Sequence, residues 1–112
     1  MDLSCHCGGV TITLPHAPDE ITHCNCSLCT KTGFRGIYYR EGEVSVSGKV
    51  EGYVRSDLDE VYLTNWHCPT CGVATHWTSL TDDYDRMGVN GRLLDPDFAA
   101  TLPIRKVDGA SW

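Results

Sequence analysis

The stretch CHCGGVTITLP, residues 5–15, contains both features that decide the fold. Its first part places two cysteines around one residue and follows them with two glycines, a pattern typical of a tight turn that binds a metal ion through sulfur. Its second part, Val10–Leu14, alternates apolar residues with threonine and stops at a proline, which predicts a short β-strand. A metal-binding turn joined to a strand is therefore expected near the start of the chain.

Two further clusters, Cys24–Cys29 and Cys68–Cys71, bring the number of cysteines to seven. An odd number leaves one thiol unpaired in any set of disulfides, and cysteines separated by a single residue are too close to bridge each other without strain. The N-terminal residues have no basic segment and no apolar run, so a secretion signal is not expected. These observations favour metal ligands in a reducing compartment, and we predict a cytoplasmic location.

Zinc is the predicted metal because it suits closely spaced thiolates and because the clusters lack the usual spacings of iron–sulfur proteins. Gly8 follows the first cluster and Gly72 follows the third, whereas threonine follows the second. Pairing the two glycine-terminated clusters gives a closed four-sulfur site on Cys5, Cys7, Cys68 and Cys71, and leaves an open three-sulfur site on Cys24, Cys26 and Cys29. The spacing also allows the N-terminal pair to join two cysteines of the middle cluster.

Length and composition are those of one globular domain spanning residues 1–112. The hydrophobic fraction is 41% and the charged fraction 21%, which is ordinary for a water-soluble protein. The apolar runs are too short to cross a membrane, so no membrane partner is expected. The net charge of −6 argues against binding to nucleic acid, which normally requires a basic surface.

The remaining sequence predicts further strands and no long helix, since no segment keeps a helical period over three turns. Single strands are expected at four places: Ile21–Cys24, Phe34–Tyr39, Val61–Trp66 and Ala74–Thr78. Two hairpins are also expected, one turning at Gly48-Lys49 between 44–47 and 50–55, and one turning at Asn90-Gly91 as a type I′ turn. Short, regularly spaced strands predict an all-β fold of two small antiparallel sheets with the cysteine clusters at strand ends and turns.

The order of these motifs resembles the glutathione-dependent formaldehyde-activating enzyme and centromere protein V family. The matching elements are Cys-x-Cys-Gly from Cys5, Cys-x-Cys-x-x-Cys-x-Lys from Cys24, Cys-x-x-Cys-Gly from Cys68, and Asn-x-x-x-Leu-Asp from Asn90. The resemblance implies a β-tent fold and an activity that forms or cleaves carbon–sulfur bonds, with glutathione and formaldehyde as substrates. It also implies a structural zinc on Cys5, Cys7, Cys68 and Cys71, and a second zinc on Cys24, Cys26 and Cys29.

The open three-sulfur site is the expected catalytic centre. A zinc with three thiolates has a net charge of about −1 and accepts a soft fourth ligand such as a thiol better than it activates water. We therefore predict a zinc-dependent carbon–sulfur lyase or synthase that activates a small thiol for reaction with an aldehyde. The alternatives are a non-catalytic zinc module that binds a protein, and a zinc–thiol protein that responds to oxidation.

Substrate contacts are expected from residues near the middle cluster. Lys31 and Arg35 are candidates for binding the carboxylates of a thiol substrate, although ordinary surface charge accounts for them equally well. Asn90 matches the family pattern and is a third candidate, the alternative being a turn residue. Of Tyr38 and Tyr39, only one can face the site, because side chains alternate along a strand. His23 is the best candidate for an additional metal ligand, but the direct neighbour of a ligand usually points elsewhere.

Overall fold

A computed structural model describes residues 1–111, which form ten β-strands and two short α-helices. The strands are β1 (Asp2–Ser4), β2 (Thr11–Thr13), β3 (Ile21–Cys24), β4 (Gly36–Arg40), β5 (Ser45–Ser47), β6 (Glu51–Tyr53), β7 (Leu63–His67), β8 (Ala74–Ser79), β9 (Arg86–Asn90) and β10 (Ile104–Val107). The α-helices are α1 (Ser27–Thr32) and α2 (Pro96–Ala99), and 3-10 helices lie at Glu41–Glu43, Gly91–Leu93 and Gly109–Ser111. Within the described residues, no helix has the length and apolar character needed to cross a membrane.

The strands form two sheets, one of three strands and one of seven. The small sheet has the order β1-β2-β5, and the large sheet has the order β10-β3-β4-β9-β8-β7-β6. Neighbouring strands are antiparallel except for β10, which runs parallel to β3. The prediction of an all-β fold with two sheets is therefore confirmed; the small sheet is antiparallel as expected, and the large sheet is mixed because of β10.

The predicted hairpin around Gly48-Lys49 is wrong. β5 pairs with β2 in the small sheet, whereas β6 pairs with β7 in the large sheet, so the chain crosses between sheets at this turn. Gly48 has a φ of +106° and packs so closely on the backbone of Gly9 that a side chain would overlap the Gly9 carbonyl oxygen. Glycine is therefore required at this position because two parts of the backbone approach each other closely, and not because it forms a two-residue hairpin turn.

The predicted hairpin at Asn90-Gly91 is also wrong. A type I′ turn requires positive φ at both central residues, but Asn90 has a φ of −72° and no residue other than glycine has a positive φ within residues 1–111. Asn90 instead ends β9 and caps the 3-10 helix that follows, because its side chain accepts a hydrogen bond from the Arg92 N–H at 3.0 Å.

The main hydrophobic core combines residues from both sheets. It is formed by Leu3, Ile12, Leu14, Ile21, Ile37, Tyr39, Met87, Val89 and Leu94. A second, smaller cluster contains Cys5, Val10 and Cys68. Val46 packs against both clusters and links them. One cysteine from each of the first and third sequence clusters, Cys5 and Cys68, is therefore part of the packed interior, whereas Cys71 is partly buried and Cys7 is exposed.

Candidate metal centres and the adjoining cavity

The first group of sulfurs joins two turns that are distant in sequence. The turn after β1 provides Cys5 and Cys7, and the turn between β7 and β8 provides Cys68 and Cys71, with all four Sγ atoms within 4.8 Å of one another. Cys7 Sγ lies 3.7 Å from Cys5 Sγ and 3.6 Å from Cys68 Sγ. A tetrahedral zinc with Zn–S bonds of about 2.3 Å separates its sulfurs by about 3.8 Å. The donor set therefore fits one tetrahedral ion.

Backbone N–H groups stabilise negative charge on these sulfurs. Cys7 Sγ accepts the Gly9 N–H at 3.4 Å, and Cys5 Sγ accepts the Val10 N–H at 3.3 Å. The N–H groups of Val73 and Cys7 lower the pKa of Cys71 to about 6. The turns that aim these N–H groups include Gly8 at a φ of +79° and Gly72 at +75°, the conformation expected from the glycines that follow each cluster.

The second group of sulfurs lies where β3 passes into α1. Cys24 is the last residue of β3, Cys26 is the N-cap of α1, and Cys29 lies in α1; their Sγ atoms lie within 4.8 Å of one another. Cys24 Sγ accepts the Cys26 N–H at 3.5 Å, and Cys26 Sγ accepts the Cys29 N–H at 3.4 Å. The helix was not expected from the sequence because its six residues are too few to show a period.

The electrostatic environment distinguishes Cys26 from Cys29. Burial opposes ionisation of Cys26, but the N–H and the thiol of Cys29 outweigh it and, with a contribution from Arg55, lower the pKa of Cys26. Burial, reinforced by negative charge on Cys26 and Cys24, raises the pKa of Cys29. Ionisation is thus favoured at Cys26 and opposed at Cys29, and a bound cation would favour the thiolate form of all three cysteines.

The segment after β10 packs against this three-sulfur group. Asn25 donates from Nδ2 to Asp108 Oδ1 at 2.9 Å and accepts the Ala110 N–H at 2.9 Å. These bonds hold Gly109 against Cys24, so closely that a methyl group on Gly109 would overlap Cys24 Sγ. The three-sulfur group and residues 108–110 are therefore packed closely together and held by hydrogen bonds.

Among residues 1–111, no histidine or acidic side chain joins the three sulfurs as a fourth candidate ligand. His23 precedes Cys24 on β3 and is exposed. Side chains alternate along a strand, so His23 points away from the face that carries Cys24.

An open cavity of about 1350 Å³ adjoins the three-sulfur group. Its floor is one face of the large sheet, because the paired residues Thr22, Gly36 and Arg105 all line it, as do Tyr38 and Trp77 further along the same face. Cys24, Cys26 and Cys29 line one end. Acidic residues also contribute to the wall, namely Asp59, Glu60 and Asp83. The sulfurs are thus accessible from a space large enough for a small peptide.

The three predicted substrate contacts do not line this cavity. Lys31 is exposed in the last turn of α1, where a cation interacts favourably with the helix end. Arg35 precedes β4 and is only half-buried. The Asn90 side chain is fully occupied by the backbone, since it donates to the Ala74 carbonyl at 2.7 Å and accepts the Arg35 N–H at 3.3 Å in addition to its capping bond. Asn90 holds β9 and its neighbours in place, which explains why it is buried.

Residues that the sequence did not single out provide the positively charged groups of the cavity. Arg55 donates to Ser27 Oγ at 3.2 Å beside Cys26, and forms an ion pair with Asp57 at 2.6 Å. Arg105 lies on β10 and Arg86 on β9. All three come from segments far from the middle cysteine cluster in sequence, so only the sheet order could have identified them. Of the two neighbouring tyrosines, Tyr38 faces the cavity, whereas Tyr39 is buried and donates to the His16 carbonyl at 3.0 Å.

The fold and the two sulfur groups define an all-β protein with two sites that could hold metal ions. The family model for the glutathione-dependent formaldehyde-activating enzyme matches residues 1–104, and the chain belongs to this family. The resemblance inferred from the motifs is therefore confirmed. A crystal structure of a Rhodobacter sphaeroides protein, a structural genomics target, is similar with a TM-score of 0.70 and 25% identity over 94% of this chain and 100% of that one. No curated protein matches the chain.

Proposed function

We propose that this protein is a zinc-dependent carbon–sulfur lyase or synthase that interconverts a thiol and an aldehyde with their hemithioacetal. Glutathione and formaldehyde are the proposed substrates, as the family description suggests. The observation that carries the proposal is the set of three cysteine sulfurs at the wall of an open cavity, with no fourth candidate ligand from residues 1–111. Three donors and a free position are typical of zinc sites that carry out chemistry.

The residues present fit such an ion. Cys24, Cys26 and Cys29 are the proposed ligands, and zinc bound there would supply an open position at which a thiol loses its proton. Backbone N–H groups of Cys26 and Cys29 donate to two of the sulfurs, which supports their thiolate form. The four-sulfur group, which includes the buried Cys5 and Cys68, has no free corner and is proposed to be structural.

The protein's own cations are suited to orient an anionic thiol. Arg55 acts on the pKa of Cys26, and Arg105 acts on the pKa of Tyr38, so both guanidinium groups lie within electrostatic reach of the sulfur end of the cavity. Carboxylates of glutathione would bind these arginines in place of the acidic partners that they have now, Asp57 and Glu20. The overall charge of −6 makes this local positive charge necessary for an anionic substrate.

Exchange NMR of glutathione with isotope-labelled formaldehyde tests the proposal. The zinc-loaded protein is expected to accelerate formation and cleavage of the adduct, and Cys26→Ser is expected to abolish the acceleration while leaving one metal bound. Thr30→Ala, an exposed neighbour on the same helix, is the matched control and is expected to behave as wild type. Absence of acceleration by protein carrying two metals, or full activity in Cys26→Ser shown to lack the second metal, would refute the proposal.

A further inference from the structure

The reaction proposed above needs a proton donor that the cysteines cannot provide. When sulfur bonds to the carbonyl carbon, the π electrons of the carbonyl move to oxygen, and this oxygen must receive a proton. The cleavage reaction needs the same proton to be removed. We propose that the hydroxyl group of Tyr38 is this donor and acceptor, an inference that rests on the proposed function.

The backbone places Tyr38 on the reacting face of the sheet. Thr22 on β3 pairs with Gly36 on β4, and residues two positions apart share one face, so Cys24, Thr22 and Tyr38 face the same cavity. The Tyr38 ring folds back over Gly36, since a Cβ on Gly36 would lie 2.8 Å from Tyr38 Oη. The hydroxyl is therefore held beside Thr22, which is two residues from Cys24.

This separation suits the reacting atoms. Thr22, beside which the hydroxyl lies, and Cys24 are separated along β3 by roughly 7 Å, a length comparable to that of a sulfur, a carbon and an oxygen in a row. Negative charge on Cys29 and Cys24 acts on the pKa of Tyr38, which shows that the hydroxyl lies within electrostatic reach of the sulfurs. Tyr38 is 36% exposed, and partial burial is the main cause that raises its pKa; a tyrosine hydroxyl is protonated at neutral pH in either case, so it can donate.

The surroundings of the hydroxyl include an unused polar group. Thr22 is 2% exposed, and its Oγ1 has no hydrogen-bond partner within residues 1–111. Tyr38 and Thr22 are close enough for the threonine hydroxyl to affect the pKa of Tyr38, but the pair does not adopt the geometry of a hydrogen bond. A buried hydroxyl without a partner is costly, and a bound oxygen would satisfy it if the Tyr38 ring moved aside enough to expose it.

Aromatic packing fixes the position of the ring. The Trp77 ring lies 6.0 Å from that of Tyr38 at an interplanar angle of 54°, a favourable tilted arrangement. The two rings stand on either side of Gly88, where a side chain would overlap the Trp77 indole nitrogen. The glycine at this position leaves room for the indole to support Tyr38.

The proton balance closes without any further reactant. The thiol loses its proton, a sulfur–carbon bond forms as the carbonyl π bond breaks, and Tyr38 transfers its hydroxyl proton to the carbonyl oxygen. The proton lost by the thiol passes to water, and water then protonates the Tyr38 phenolate. The sum is thiol plus aldehyde giving hemithioacetal, and cleavage follows the same steps in reverse.

Tyr38→Phe tests the inference, with Tyr84→Phe as the matched control because it removes a hydroxyl from the same cavity. In the exchange NMR assay, Tyr38→Phe is expected to lower the rate constant by at least about 100-fold, the usual contribution of a general acid. Tyr84→Phe is expected to keep the wild-type rate, and both variants should keep two metals and the wild-type affinity for glutathione. Wild-type rates in Tyr38→Phe would overturn the inference and leave the proposed function standing, whereas an inactive wild type would remove both.

A binding experiment examines the same contact without turnover. S-acetylglutathione carries an oxygen on the carbon attached to sulfur, and S-isopropylglutathione carries a methyl group there. Titration calorimetry is expected to show that the wild type and Tyr84→Phe bind the acetyl compound more tightly than the isopropyl compound. The ratio of the two affinities should be about 2- to 12-fold smaller for Tyr38→Phe, which corresponds to the loss of one hydrogen bond. An unchanged preference in Tyr38→Phe would show that the hydroxyl does not reach this oxygen.

Discussion

Replacing Gly109 with alanine should selectively weaken metal binding at the three-sulfur site. The added methyl group would overlap Cys24 Sγ and lie 3.5 Å from Cys26 Cβ. The backbone cannot easily move away, because Asn25 binds both Asp108 and the Ala110 N–H at 2.9 Å. Without metal, the Cys24 side chain can rotate to avoid the methyl group, so the overlap is imposed mainly when the sulfurs must gather around an ion.

The expected size follows from the energetics of an overpacked site. Inserting a methyl group into a closely packed position costs about 1–3 kcal/mol, which corresponds to about 5- to 140-fold in metal affinity. Titration with cobalt, followed by the thiolate charge-transfer absorbance, measures both sites in one experiment. Gly42→Ala is the matched control, because no atom lies within 4 Å of the Cβ position at Gly42. If Gly109→Ala bound two ions as tightly as Gly42→Ala, the packing argument would be wrong.

Three further predictions concern the rest of the molecule. Asn90→Ala should lower the free energy of unfolding by about 2–4 kcal/mol, because the Ala74 carbonyl and the N–H groups of Arg35 and Arg92 lose their partner; urea denaturation showing no loss would contradict its structural role. Burial lowers the pKa of His76 from 6.5 to about 4, so its contribution to stability should be complete above about pH 6.5 and fall by up to about 3 kcal/mol as the pH drops towards 4. The free energy of unfolding, measured by urea denaturation at several pH values in this range, should change less with pH for His76→Gln than for wild type. An identical dependence on pH in the two proteins would argue against a buried neutral histidine. Cys68→Ser should prevent folding, because it removes a proposed metal ligand and a member of the second core cluster; a native circular dichroism spectrum of this variant would contradict the prediction.

Several features of the structure that depend on neighbouring residues in the sequence were predicted correctly. The strand at Ile21–Cys24 was predicted with the bounds observed, and the alternating residues of Val10–Leu14 contain β2. Glycine after each of two clusters suggested which cysteines lie together, and the structure gathers the sulfurs into the same two groups. That these groups bind zinc stays a prediction. Glycine was informative here because positive φ is a property of a single residue.

Features that depend on distant contacts were missed. Glycine is needed at position 48 because of the carbonyl of Gly9. Asn90 binds the distant backbone groups of Ala74 and Arg35 in addition to its local cap on Arg92, so both residues resemble hairpin-turn signals without forming hairpin turns. β10 has an exposed, mixed pattern that gives no sign of pairing with β3. Arg55 acquires its relation to the cysteines only when the sheet is assembled, and alternation along the strand predicted that one of Tyr38 and Tyr39 faces the site but not which one. The grouping of the cysteines could be inferred from spacing, but the charged residues that line the cavity could not.

The contacts of Asn25 with Asp108 and Ala110 span 83 and 85 residues along the chain. During synthesis on the ribosome, the middle cysteines therefore emerge long before the segment that packs against them. Over that interval of translation, the three thiols lack the packing that residues 108–110 provide in the folded protein.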